Sequence, residues 1–189
     1  MGWIQTFSGR KFDFEDPRAE DVHIADIAHA LSLIPRFAGH TEFPYSVAQH
    51  SLFVADIVER CLGRPEFALE ALLHDAPEAY YGDITRPMKA LLGETAKRML
   101  GSVDSAVFEH FGMTLPVPPI VKYADDYALR LEAACLLPDA PIDDWHKQFS
   151  SCNCACGQPR RISRRSQRYI EGSFIGAFRR LAPNHSDSQ

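Results

Sequence analysis

A chain of 189 residues with 46% hydrophobic and 24% charged residues has the make-up of one folded domain, not of a disordered segment. No apolar run nears the roughly 20 residues a membrane helix needs, and Met1 to Gln5 lacks a basic–apolar leader, so a cytoplasmic protein is expected. The net charge of −5 argues against a chain built as a whole to hold nucleic acid.

The segment Trp3 to Phe14 alternates around Ser8-Gly9 and predicts a short hairpin, ended by Asp16-Pro17. Val22, Ala25, Ile27, Ala28, Leu31 and Ile34 then recur at helical spacing, which predicts a helix capped by Asp21 that stops before Pro35. Pro35 to Tyr45 is a loop rich in turn residues. A second helix is expected from about Ser46, its cap, to Leu62, and a third from about Glu66 to Tyr80. Residues 88–111 read as one or two helices interrupted at Gly93 and Gly101, followed by a proline-rich connector from Met113 to Pro119. A long helix is expected from about Ile120 to Leu137, irregular chain over 138–159, and a last helix over 160–181. The expectation is an all-α bundle of five to seven helices with a small N-terminal β hairpin, one domain over 1–182, and a mobile tail over 183–189.

Charge is unevenly spread. Residues 157–189 hold seven basic and two acidic residues, with Arg160, Arg161, Arg164, Arg165 and Arg168 clustered. A solvated helix face offsetting the acidic body explains the cluster better than nucleic-acid contact. Cys61 and Cys135 fall in helical patterns as small core residues. Cys152, Cys154 and Cys156 lack the second separated pair of a structural zinc site and read as reduced thiols in a loop.

The chemistry is carried by polar residues on faces that are otherwise apolar. His50 shares its face with Val47, Val54 and Ile57. His74-Asp75 interrupts the apolar stretch Ala71 to Ala76. Asp125 shares its face with Val121, Ala128 and Leu129, whereas Asp126 falls with Lys122 and Arg130 and reads as solvated. An unpaired buried carboxylate costs on the order of tens of kcal/mol by idealised solvation. Two His and two Asp on inward faces of three helices therefore point to one divalent cation, for which imidazole and carboxylate are suited ligands.

These residues, in order, resemble the H…HD…D pattern of HD-domain metal-dependent phosphohydrolases. The flanking segments Arg36-Phe37-Ala38-Gly39-His40-Thr41, Tyr45 to Ser51, Leu73 to Glu78 and Gly82-Asp83-Ile84 are similar to the bacterial 5′-deoxynucleotidase-like branch and its phage relatives, over about residues 20–137. The resemblance implies an HD-domain bundle in which His50, His74, Asp75 and Asp125 ligate one divalent ion (Mn, Co, Zn, Fe or Ni), with open positions for water and a phosphate oxygen. It implies phosphate contact by Arg36 and positioning of water or phosphate by Asp83, whose other reading is a cap on the next helix. Glu78, four residues after His74, reads either as acid/base or as the partner that holds the His74 ring. Lys122 reads as a phosphate neighbour or a partner of Asp126, His40 as pocket lining, and Phe37 and Trp3 as base-stacking surfaces, Trp3 the weaker of the two.

The expected activity is hydrolysis of a (deoxy)nucleoside 5′-monophosphate to nucleoside and phosphate. The alternatives are a deoxynucleoside triphosphate triphosphohydrolase, for which Arg10, Lys11, Arg86 and Lys122 offer extra cations, and a silent nucleotide-binding module. The expected partners are a small nucleotide and, as in similar proteins, a second copy in a homodimer or larger assembly.

Overall fold

The structure is a computed structural model that describes residues 2–138 and 162–185. It is mostly helical, with one two-stranded antiparallel sheet at the N-terminus. Strands β1 (Trp3–Gln5) and β2 (Lys11–Asp13) pair with Ile4 opposite Phe12. The hairpin tip is tied to the first helix, because Ser8 donates from N and Oγ to the buried Asp26 carboxylate at 2.6 and 2.7 Å. Phe7 stacks on His29 at 3.6 Å between centroids, and Phe12 is fully buried against the Tyr80 ring at 3.9 Å.

Helix α1 (Ile24–Leu33) begins after His23, with no side-chain cap. Asp21 instead closes a short 3-10 turn, Ala19–Asp21, so the expected cap is wrong: an extended Val22 separates that turn from α1. Helix α2 (Val47–Asp56) starts as expected at Ser46. The Ser46 hydroxyl accepts from Gln49 N–H, and the Gln49 amide oxygen accepts from Ser46 N–H. This reciprocal box satisfies two otherwise orphaned donors. Ser46→Ala is expected to lower stability by about 1 kcal/mol, read as a lower urea midpoint at unchanged slope. The helix runs on as a wider π turn, Ile57–Cys61.

The third expected helix is divided. A 3-10 turn (Pro65–Phe67) leads into α3 (Ala68–Leu73), and α4 (Glu78–Tyr81) follows a tightened turn. There Ala76, Glu78 and Ala79 N–H groups reach back only three residues, to Leu73, Asp75 and Ala76. Pro77 has no N–H to continue the α pattern. Helices α5 (Arg86–Leu91) and α6 (Glu94–His110) are separated at Gly93 as expected, but Gly101 lies inside α6 without breaking it. Helix α7 (Pro119–Leu136) carries Asp125, and α8 (Gln167–Leu181) is capped by Ser166, later than the expected start at 160.

α2 is the central rod, packed on α1, α3, α7 and α8. The core between them includes the fully buried Ile27, Leu31, Leu72, Leu73, Phe174 and Phe178. Full burial of each such side chain contributes roughly 1.5–3 kcal/mol. Among the described residues no helix is long and apolar enough to cross a membrane. The Cys152–Cys156 run, Arg160, Arg161, most of the irregular segment and the last four residues lie outside the described residues.

Candidate metal centre and cleft

Three segments bring the candidate ligands near one another. α2 supplies His50, the turn after α3 supplies His74 and Asp75, and α7 supplies Asp125. One ligand atom from each of His50, His74 and Asp125 lies within 4.8 Å of the others. His50 Nε2 is 3.2 Å from Asp125 Oδ1 and 3.6 Å from Asp75 Oδ2, and His74 Nε2 is 3.3 Å from Asp75 Oδ2.

The opposite edges of both rings are fixed. His74 Nδ1–H donates to the Ala71 carbonyl at 2.7 Å, and His50 Nδ1–H donates to Glu132 Oε1 at 2.7 Å. Both Nε2 atoms are buried and make no hydrogen bond. Buried polar atoms normally find partners. Two imidazole nitrogens without hydrogen-bond partners, aimed at one carboxylate-lined point, fit a divalent cation, which imidazole and carboxylate groups suit as ligands.

Burial acts to raise both aspartates, yet both are held well below the usual carboxylate range. His74, His50 and Arg36 outweigh burial at Asp75; His50, His74 and Arg86 do so at Asp125. His50 shows the reciprocal effect. Burial and Arg36 press its pKa down, but Glu132 and Asp125 lift it to about 9.

The cluster meets a cleft of about 920 Å³ through Asp75 and Asp125, which line it; His50 and His74 do not. Arg36, Phe37, His40, Glu78, Asp83 and Lys122, each singled out in the sequence, all line it. Arg36 is nearly buried, with Nη1 3.5 Å from Asp75 and Nη2 3.6 Å from Glu132. It is held between these two carboxylates. Glu78 does not extend the helical face of His74, because the turn at Pro77 intervenes. The residue is 3% exposed; its carboxylate accepts from Lys89 Nζ at 3.0 Å, and its pKa is pushed up to about 8 by burial and by Asp75, against the pull of Lys89. Asp83 caps nothing: α5 begins after Thr85 with no side-chain cap. Burial raises the Asp83 pKa.

Asp126 is not simply solvated. Arg86 forks between Asp125 Oδ2 at 2.8 Å and Asp126 Oδ1 at 2.6 Å, and Lys122 lies 3.2 Å from Asp126. Four cations, Arg36, Arg86, Lys89 and Lys122, therefore share the cleft with Asp75, Glu78, Asp83 and Asp125. Arg10, Lys11 and Trp3 are on the hairpin and do not line it.

Two residues escaped sequence reading. Lys89 had no signal beyond its charge. Glu132 had one: it lies seven residues after Asp125, hence on the same face of α7 two turns on, and it is wholly buried.

The cleft wall also stores backbone strain. Phe37 and Ala38 take φ of 54° and 50° in the turn Arg36–Gly39. Such left-handed non-glycine positions cluster at functional sites. Ala38→Gly is expected to raise thermal stability slightly, since relief of about 1–2 kcal/mol outweighs the about 0.4–1 kcal/mol of added unfolded-state freedom.

These features define a helical protein with a candidate divalent-metal centre at the wall of a cation-rich cleft. The chain is 44% identical over 144 residues to the uncharacterized protein YfdR of Escherichia coli (strain K12), covering 76% of this chain and 75% of that one. It is 40% identical over 140 residues to the uncharacterized protein RCAP_rcc00048 of Rhodobacter capsulatus, covering 69% and 71%. The chain belongs to the family these two proteins represent. No model of a known protein family matches it.

Proposed function

We infer that the protein is a metal-dependent phosphohydrolase of the HD-domain kind, acting on a phosphate ester of a nucleotide. The observation that carries this reading is the pair of buried, unpartnered imidazole nitrogens converging with Asp125 beside a cleft that also presents Arg36. His50, His74, Asp75 and Asp125 would hold the ion. When bound, it supplies Lewis-acid polarisation of a phosphoryl oxygen and a more acidic water.

The remaining work falls to side chains of the cleft. Arg36 offers a planar fork to phosphate oxygens, already oriented by two carboxylates. Glu78, held protonated to well above the ordinary carboxylate range, can give its proton to the departing oxygen. Asp83, which lines the cleft, would orient water, and Phe37 and His40, which line it too, would offer ring surfaces to the nucleoside. On this reading a nucleoside 5′-monophosphate yields nucleoside and phosphate.

A second reading has a specific observation behind it. Arg86, Lys89 and Lys122 line the same cleft as Arg36, which supplies cations for a longer phosphate chain and favours a deoxynucleoside triphosphate. Incubation of protein loaded with manganese, cobalt or zinc with mono- and triphosphates, followed by phosphorus NMR, separates the readings. Orthophosphate from monophosphates is the expected product, and tripolyphosphate would establish the second reading. Binding without turnover across the panel would leave a silent nucleotide-binding module and overturn both.

A further inference from the structure

We propose that Glu132 is a positioning residue that turns the His50 ring to present Nε2 to the ion and, through the same carboxylate, holds Arg36 at the cleft wall. The inference rests on the metal centre described above. Glu132 is 0% exposed. Its Oε1 accepts from His50 Nδ1–H at 2.7 Å and from the Tyr45 hydroxyl at 2.8 Å, while Oε2 makes no hydrogen bond and faces Arg36 Nη2 at 3.6 Å.

Packing alone does not call for a carboxylate here, since a buried ion pair is often replaced by apolar groups without loss of stability. A carboxylate is, however, an acceptor only. The His50 nitrogen facing it must carry a proton, which leaves Nε2 as the ligating atom. His74 has its orientation set by a main-chain carbonyl. His50 has a charged acceptor instead, which makes the imidazole a stronger donor to a metal. Arg36 has two carboxylates within ion-pair reach, Asp75 and Glu132. Once an ion takes up the charge of Asp75, Glu132 is the counter-charge that keeps Arg36 in place. One buried side chain thereby joins metal binding to anion binding.

The test is Glu132→Gln, which keeps shape and acceptor oxygen but not charge. Zinc titrated calorimetrically into ion-stripped protein is expected to bind about 10–100-fold more weakly than to wild type. Inorganic phosphate, titrated at saturating zinc, is expected to bind about tenfold more weakly, the effect of losing one charged contact. Far-UV circular dichroism should be unchanged. Tyr45→Phe, which removes a hydrogen bond to the same oxygen but spares the charge, should shift zinc affinity by less than about threefold, below what a charged contact is worth. A folded Glu132→Gln protein with wild-type affinity for zinc overturns the proposal.

If that variant does not fold, nitrogen-15 NMR of zinc-loaded wild type decides. A protonated Nδ1 and a coordinated Nε2 on His50 support the role, and coordination through Nδ1 overturns it. Neither readout involves a nucleotide. Weakened zinc binding in a protein that hydrolyses no nucleotide would overturn the proposed activity alone, and unchanged zinc binding in an active hydrolase would overturn the role of Glu132 alone.

Discussion

Asp125→Ala is expected to abolish both divalent-ion binding and hydrolysis, while Asp126→Ala keeps its ion. Asp125 divides its oxygens: Oδ1 faces His50 Nε2 at 3.2 Å and Oδ2 takes Arg86 at 2.8 Å. On the proposed reading its removal deletes a ligand and leaves Asp75 as the remaining carboxylate facing both Nε2 atoms. The loss in affinity should exceed the ~10–100-fold that an outer partner costs. Asp126 touches Arg86 and Lys122 but no imidazole. Its removal frees half of the Arg86 fork, so the expected effect is confined to KM. Elemental analysis after gel filtration, with steady-state kinetics, separates the two variants. Equal loss of ion from both would show that the cluster does not gather on Asp125.

Arg36→Ala is expected to lower stability by about 3–5 kcal/mol, the cost of leaving a buried charge without its partner. Two carboxylates lean on this guanidinium, and one of them, Glu132, is sealed from water. Asp75, Glu132, Asp83 and Asp125 together outweigh burial and keep Arg36 charged throughout the accessible pH range. Sequence alone predicts only weaker substrate use with the ion retained; the buried pair adds a structural penalty. Arg36→Lys restores a charge but not the planar fork, and should recover part of the stability and little of the phosphate binding. Urea unfolding of the two variants checks this. An unchanged midpoint for Arg36→Ala would show that Glu132 is compensated by His50 and Tyr45 alone.

The parts of the fold legible in sequence were those set by local chemistry. The Ser46–Gln49 box, the Ser8-Gly9 tip, the break at Gly93 and the apolar face of His50 each depend on residues a few positions apart. The cap assigned to Asp21 failed because Val22, though in phase with the helix, is extended. The helix expected through Tyr80 failed because its apolar period carries across a turn that Pro77 forces. At the site, residue types and faces were readable: Arg36, Phe37, His40, Asp75, Glu78, Asp83, Lys122 and Asp125 line one cleft, whereas Trp3, Arg10 and Lys11 do not. Asp126 was misjudged because its partner, Arg86, is 39 or more residues away. Glu132 was readable only as a heptad neighbour of Asp125. Its burial follows from Tyr45, His50 and Arg36, which lie more than 80 positions away in the chain.

Helix α1 is clasped from both directions along the chain. Ser8 reaches Asp26 across 18 residues, whereas Glu171 reaches His29 across 142 and Gln167 reaches Ser32 across 135. During synthesis at 5–20 residues per second, the side of α1 that meets α8 therefore waits on the order of 10 s for its cover. Over that interval Ile27 and Leu31 belong to a nascent chain whose core cannot yet close, so a ribosome stalled before Phe174 should display a protease-sensitive product however complete its candidate ligand set already is.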